Sequence, residues 1–457
     1  MYNNTSLVEN LSRHLTAREK LKSYIKEKRA FHVPDFHLDK VSYGDLPLGH
    51  LLTPLGFIPL KLLRGTCTRL IHLIGLPGQG KTNLLRMIAL ESMYMGDHVI
   101  IISRKGFEYD SLLSYSNNFY DLDASSIRLN PFYPPSKNIS QKEWNPRISQ
   151  AISSEGYLVY ASATSFEQTL DKYSDKFPRR VITPSKLIQF ILQNKNYKLI
   201  PVEEKVRNRL ETMTSGPGKN IFDSNEIIDF EFYAKNYCNF NLSSLSSNQV
   251  SYFIAIFLEC LTTWKLLNPG EQRHIIILDD YFDLVNEQND NLPKINELLK
   301  TINIFGRKLN IDLWLVSQSV INISNYILDS ATTIIKFKTG SLTDAKMKSI
   351  LNLNTREQEI ASKIPKGYVI LSRKLIHPSP LLISTPLFPM KELSDGEKRD
   401  IMLPRLEQMR SQYMTVMPEQ VSMVSEEDEL SNDQIHILKD IQIVPYETLS
   451  ERALKLG

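Results

Sequence analysis

The sequence predicts an α/β fold with a parallel sheet at its centre, and three observations carry that expectation. An apolar run, Arg69 to Ile74, enters a glycine-rich turn, and an apolar-periodic helical segment follows from Lys81 to about Tyr94. Gly96 stops that helix and a second apolar run, His98 to Ser103, begins, completing a strand, helix, strand unit. Short runs rich in branched residues, His274 to Leu278 and Ile311 to Val316, flank a helical stretch from Leu292 to Phe305 and resume the same alternation.

Taken in order, residues 1–30 carry Leu7, Leu11, Leu15, Leu21 and Ile25 near helical spacing, which predicts an amphipathic helix. In residues 31–68, Pro34, Gly44, Pro47, Gly49, Pro54, Gly56 and Pro59 cut the chain into short extended pieces, a strand-and-loop lead-in. Residues 69–143 form the first part of the core domain and 266–390 the second, with further strands expected at Thr332 to Lys338, Tyr368 to Ser372 and Pro380 to Ser384. Between these parts, residues 144–265 show helical spacing at Pro184 to Gln193, Glu203 to Met213 and Gln249 to Trp264, and read as a mostly helical insertion. Residues 391–430 read as an acidic linker and 431–457 as a small C-terminal helical tail.

Composition narrows the classes. With 457 residues, 42% of them apolar and 23% charged, the chain has ample material for a buried core, so disorder is expected only locally. The net charge of +3 sets up no whole-protein field for a polyanion, and any such partner must meet a local basic surface. Cys67, Cys238 and Cys260 are far apart, without metal-ligand spacing, and fit reduced core thiols of a cytoplasmic protein. Apolar stretches such as Tyr252 to Leu258 fall short of the ~20 residues that span a bilayer, so no integral membrane segment is expected.

The turn between the first strand and helix reads Gly75, Leu76, Pro77, Gly78, Gln79, Gly80, Lys81, Thr82, with Asn83 next, a complete G-x-x-x-x-G-K-[ST] motif in its proper context. Three glycines let the backbone turn its N–H groups inward, and the helix N-terminus adds positive potential, so the segment is a phosphate cradle for ATP. Lys81 is expected to reach the β- and γ-phosphates and Thr82 to give a hydroxyl to Mg²⁺. The motif makes the core a RecA-like P-loop NTPase sheet. Such a site needs a carboxylate at a neighbouring strand end. Asp279 ends the run His274 to Leu278 and is placed for the Mg²⁺ shell, and Asp280 follows where a water-activating acid belongs.

With these motifs in place, the sequence resembles the HerA/FtsK superfamily of ring-forming P-loop ATPases, especially the branch of conjugative coupling and secretion motors. The resemblance spans about Leu48 to Ser384 and rests on Leu48 to Leu52 with Pro59 to Leu62, on Ser103 to Glu108, on Leu129 to Phe132 (LNPF), on Ile221 to Asp223 and on Gly306 to Gln318. It implies that Gln318 senses the γ-phosphate or the attacking water. Arg307 is the implied finger toward a neighbouring subunit, with Lys308 and Arg373 as substitutes. Two departures stand out: Ser103 replaces the usual acid of the D-x-K-x-E segment, and Asp280 stands where the family has glutamate, one methylene farther from a bound water.

The resemblance further implies a Mg-ATP-driven homo-oligomeric ring, a hexamer, that translocates duplex DNA without reading its sequence. Candidate phosphate-gripping stretches are Arg104 with Lys105, then Lys336, Lys338, Lys346 and Lys348, and Lys172, Lys176, Arg179 and Arg180, each of which also fits a solvated face. The tail, with Leu449 to Gly457 reading as a helix that closes on glycine, resembles either the opening of a winged helix or a two-helix docking element for a protein partner. A nucleotide switch that scaffolds a nuclease or a secretion complex is the alternative function.

Overall fold

The computed structural model describes residue 31 and residues 43–416, apart from 54–55, 107, 156–159, 179, 194–199, 271, 281–305, 307, 322, 324 and 388–390. The expected N-terminal helix, the Leu292 to Phe305 helix, Arg307 and the C-terminal tail lie outside the described residues. Residues 417–457 form a separate unit from the rest of the chain.

Among the described residues, the first elements are a hairpin of β1 (Leu46–Thr53) and β2 (Gly56–Leu62). Strand β3 (Leu70–Ile74) runs into helix α1 (Lys81–Tyr94), then β4 (His98–Ser103), a 3-10 turn at Asp110–Ser114, and β5 (Phe119–Asp123). A helical region follows: α2 (Gln141–Glu155), α3 (Tyr160–Lys176), α4 (Pro184–Gln193), α5 (Ile200–Thr214) and α6 (Gly218–Phe222). Then come β6 (Glu226–Ile228), α7 (Phe230–Lys235), β7 (Tyr237–Asn241) and the long α8 (Ser247–Leu267). The chain re-enters the core through β8 (His274–Asp279), β9 (Ile311–Ser317), α9 (Asn325–Ser330) and β10 (Thr333–Lys336). The last described elements are α10 (Ser341–Ile350), α11 (Thr355–Ser362), β11 (Tyr368–Arg373), β12 (His377–Ser384), α12 (Asp395–Tyr413) and β13 (Met414–Val416).

Eleven of these strands make one sheet in the order β2-β1-β12-β11-β10-β3-β9-β8-β4-β7-β5, while β6 pairs separately with β13. From β10 to β5 every pair is parallel, and from β10 out to β2 every pair is antiparallel. Strands β3, β4, β8 and β9 are buried along their whole length, as parallel strands covered on both faces must be. That explains their largely apolar sequences, in which the buried His72 and Asp312 are the mid-strand exceptions. The α/β class expected from the sequence is met.

Three differences from the sequence reading have physical causes. Within 144–265, read as mostly helical, β7 joins the main sheet between β4 and β5. Its sequence, YCNFN, hides a strand because the buried Asn239 takes a core position by hydrogen-bonding on both sides: Ser103 Oγ donates to its Oδ1 at 3.1 Å and its Nδ2 donates to Asp121 Oδ1 at 2.7 Å. Within 391–430, read as a linker, α12 is a 19-residue helix opened by a Ser394/Glu397 capping box. It buries Met402 and Met409 and ties itself to the body through a Lys398–Asp121 ion pair. Finally, α8 is long and apolar enough to cross a membrane, although the shorter apolar runs within it did not suggest this; most of it is buried in the fold, packed on α2, α5 and α7.

The three cysteines are buried and unbridged.

Candidate nucleotide site

Strand β3 lies between β10 and β9, and β9 in turn separates it from β8. Chain order and spatial order therefore diverge around β3, which is the kind of switch point where open α/β sheets bind ligands beyond their C-terminal strand ends. The phosphate turn leaves β3 here, held by Gly75 N–H donating to Ser317 O at 3.1 Å and Leu76 N–H donating to Lys338 O at 2.9 Å. A Cβ at Gly75 would sit 2.5 Å from Phe337 Cβ, so the close approach of β3 and β10 requires glycine. Gly78 and Gly80 take φ of 73° and 106°, left-handed conformations that glycine adopts without strain.

Lys81 starts α1, and its side chain folds back over the turn, where Nζ donates to Gly75 O at 2.5 Å and Leu76 O at 3.1 Å. Burial pulls its pKa below the ordinary lysine value, and the nearby Lys105 pulls the same way, against Asp280, Asp279 and Glu108. Pro77 and Gly78 are exposed, and Gln79 and Gly80 are partly exposed. The side chain of Asn83 is turned elsewhere, donating to Pro386 O at 2.9 Å.

Thr82 lies beside Glu108, its Oγ1 donating to Glu108 Oε2 at 3.1 Å. Asp279, at the end of β8, is 5% exposed and accepts a hydrogen bond from the buried Tyr109 hydroxyl at 2.8 Å. Desolvation holds its carboxyl above the usual carboxylate range, with the Tyr109 hydrogen bond opposing and Asp280 and Glu108 adding to the rise. Asp280 follows in a left-handed turn, φ 58°, which ends the extended run of β8. It pairs with Lys105 Nζ at 2.7 Å and accepts from Gln318 Nε2 at 3.2 Å. Gln318 reaches it because β8 and β9 are in parallel register, Asp279 opposite Val316, with Gln318 two steps beyond.

The structure thus brings Lys81, Thr82, Asp279, Asp280 and Gln318 to one end of the sheet. It also recruits Lys105, Glu108 and Tyr109, for which the sequence had assigned no role in this site. Lys105 and Glu108 stood in the Ser103 to Glu108 segment; Tyr109 had no sequence signal, since its partner is far along the chain. Among the described residues, no group of three or more His, Cys, Asp or Glu side chains converges as a metal cage. The donor set fits Mg²⁺ arriving with a nucleotide, since that ion keeps waters and phosphate oxygens and takes only one or two protein ligands.

Other candidates fall elsewhere. Arg373 is 1% exposed on β11 and its Nη1 donates to Lys61 O at 3.3 Å, so it is no surface finger. Lys336 is equally buried, paired with Asp344 at 2.7 Å, because β10 is an interior strand; it leaves the basic stretch to Lys338, Lys346 and Lys348. Lys346 donates to Ile323 O at 2.8 Å. Lys105 is engaged at the nucleotide site. Lys308 is exposed, as are Lys172, Lys176 and Arg180. The LNPF and Ile221 to Asp223 elements build the helical region: Asn130 Nδ2 donates to Ile182 O at 2.9 Å, and Asp223 Oδ1 accepts from Ser185 N–H at 2.8 Å.

The sheet order and phosphate turn define a P-loop α/β protein. Among solved structures, the fold is similar to VirB4 of Thermoanaerobacter pseudethanolicus, at 16% identity and TM-score 0.58 over 76% of this chain and 97% of that one. It is also similar to the plasmid coupling protein TrwB in complex with ADP and Mg²⁺, at 13% identity and TM-score 0.53 over 79% and 94%. TrwB with a non-hydrolysable ATP analogue gives 13% and 0.55 over 80% and 95%. No protein-family model matches the sequence, and no curated protein matches it. At these identities the likeness is one of fold, and the fold expected from the resemblance is met.

Proposed function

We propose that this chain is a Mg-ATP-dependent motor ATPase that assembles as a homo-oligomeric ring, a hexamer, and moves duplex DNA. The observation that carries the reading is the convergence of Lys81, Thr82, Asp279, Asp280 and Gln318 at the ends of three adjacent strands, β3, β9 and β8. The fold likeness to a plasmid coupling protein that binds ADP and Mg²⁺ supports it.

In this reading the backbone N–H groups of Gly75 to Thr82 cradle the phosphates, and Lys81 exchanges its two carbonyl partners for phosphate oxygens. Thr82 and Asp279 hold the metal shell; bound Mg²⁺ would neutralise charge building on the phosphate oxygens. Asp280 orients the attacking water, and Gln318, bonded to it, reports the state of the γ-phosphate along β9. Arg307 is proposed to act on the nucleotide of the neighbouring subunit, with ATP between subunits. The exposed Lys172, Lys176, Arg180 and Lys338 are proposed phosphate contacts, and residues 431–457 a partial winged helix or a docking tail. The protein is proposed to work in the cytoplasm.

Hydrolysis measured with and without duplex DNA, at low and moderate salt, tests the motor. A rate that DNA leaves unchanged sinks it. Mass measurement with ATP and Mg²⁺ tests the ring, which a monomer under all conditions contradicts. The pairing of the short Asp280 side chain with Lys105 favours one second reading, a slowly hydrolysing nucleotide switch that scaffolds a partner.

A further inference from the structure

A hydroxyl that gives a lone pair to a cation must turn its proton the other way, and that proton needs an acceptor. For Thr82 the acceptor is Glu108, whose Oε2 takes the hydrogen bond at 3.1 Å. Asp279, the acid assigned to the metal shell, is engaged differently, with its Oδ2 bonded by Tyr109 at 2.8 Å. Successive residues of one loop, Glu108 and Tyr109, therefore address the two members of the shell. The loop is anchored on both sides. Arg86, one turn along α1 from Thr82, donates through Nε to the Glu108 carbonyl, and Tyr109 is fully buried. The Glu108 backbone is thus held beside α1, within side-chain reach of Thr82.

Resting on the proposed nucleotide reading, we propose that Glu108 is the positioning residue for the Mg²⁺ ligand Thr82. It accepts the hydroxyl proton, which leaves the oxygen lone pairs for the metal, and it sets a fixed negative charge just outside the coordination shell. The sequence assigned the metal shell to Thr82 and Asp279 alone. Partners that orient a metal ligand are worth roughly 10- to 100-fold in metal affinity, so the effect is measurable without turnover.

The test uses the full chain, ADP, and Mn²⁺ as a spectroscopic replacement for Mg²⁺, with free Mn²⁺ read by electron paramagnetic resonance. Glu108→Ala is expected to weaken Mn²⁺ binding to the ADP-bound protein by roughly 10- to 100-fold, while metal-free ADP affinity stays within about twofold. Glu108→Gln keeps an acceptor and loses the charge, so it should fall between wild type and alanine; being isosteric, it keeps the test readable where the alanine variant fails to fold. Unchanged Mn²⁺ affinity in the variants overturns the inference. So does an equal loss of metal-free ADP binding, which would make Glu108 a support of the phosphate turn alone. Wild-type protein that binds no ADP sinks the nucleotide reading itself, a result distinct from wild type and variants binding Mn–ADP alike.

Discussion

The Lys105 ammonium lies 2.7 Å from Oδ2 of Asp280, while Gln318 bonds the other oxygen at 3.2 Å. An acid placed in a left-handed turn is thereby gripped from the β4 side by a charge and from the β9 side by an amide. Removing the charge leaves three carboxylates, Glu108, Asp279 and Asp280, with less positive potential near the phosphate turn. Lys105→Met is expected to weaken binding of a fluorescent ATP analogue about 2- to 5-fold at low salt, the worth of a partly exposed pair, and less at high salt. Equal affinities at low salt would confine Lys105 to a local ion pair.

Lys81→Ala is expected to reduce ATP turnover by at least ~100-fold, since it removes the charge that meets the phosphates. The fold should persist, because the Lys81 ammonium bonds only two carbonyls of the phosphate turn and ties no other element to the sheet. Far-ultraviolet circular dichroism and hydrolysis assays on the same preparation check both halves; turnover near wild type would sink the phosphate-site assignment.

At Gly75 the constraint is steric. Gly75→Ala places a methyl 2.5 Å from Phe337 Cβ, and overpacking of this kind costs ~1–3 kcal/mol. Urea unfolding should show a lower midpoint at unchanged slope, with nucleotide binding lost through distortion of the turn. A midpoint equal to wild type would mean β3 and β10 separate easily.

Lys398 and Asp121 offer a test of α12 as part of the body. The Asp121 side chain is 1% exposed, so Lys398→Met strands a buried charge and should cost ~3 kcal/mol in unfolding free energy. Asp121→Asn added to it should restore much of the loss. If Lys398→Met is silent, α12 is only lightly attached.

Acid should weaken the fold through two histidines. Burial lowers the pKa of both His72 and His274 to about 3, against about 6.5 when unfolded. Their neutral forms are compatible with folding, so their contribution is fully present above pH 6.5 and is lost as pH falls toward 3. Each adds a slope of about 1.4 kcal/mol per pH unit in that window. Urea midpoints at pH 7.5 and 5.5 should differ accordingly, and His274→Phe should flatten the difference by one proton's worth.

The phosphate turn was legible because its chemistry demands contiguous residues at fixed spacing, and Asp279 because a strand end announces itself by the run before it. Tyr109 was not, because nothing local distinguishes a tyrosine that meets its acid across the fold. β7 escaped because Asn239 satisfies a core position through hydrogen bonds to two neighbouring strands, which breaks the apolar pattern that marks a strand. α12 reads as linker because its eight charged residues, four acidic and four basic, far outnumber its two buried methionines. Arg373 and Lys336 looked like surface charges, since basic residues rarely enter an interior strand without a partner.

An open sheet of eleven strands must end twice, and each end is a row of backbone groups that invites another strand. At β5, Arg405 of α12 occupies one carbonyl of the strand, Phe119 O, and one of the preceding turn, Leu113 O. At β2 the outward positions are Pro59 and Lys61, both exposed, one lacking an N–H and the other carrying a charge. Such residues make a poor template for pairing. Replacing both by valine would therefore be expected to turn a guarded margin into an adhesive one, visible as concentration-dependent light scattering while the nucleotide site itself stays intact.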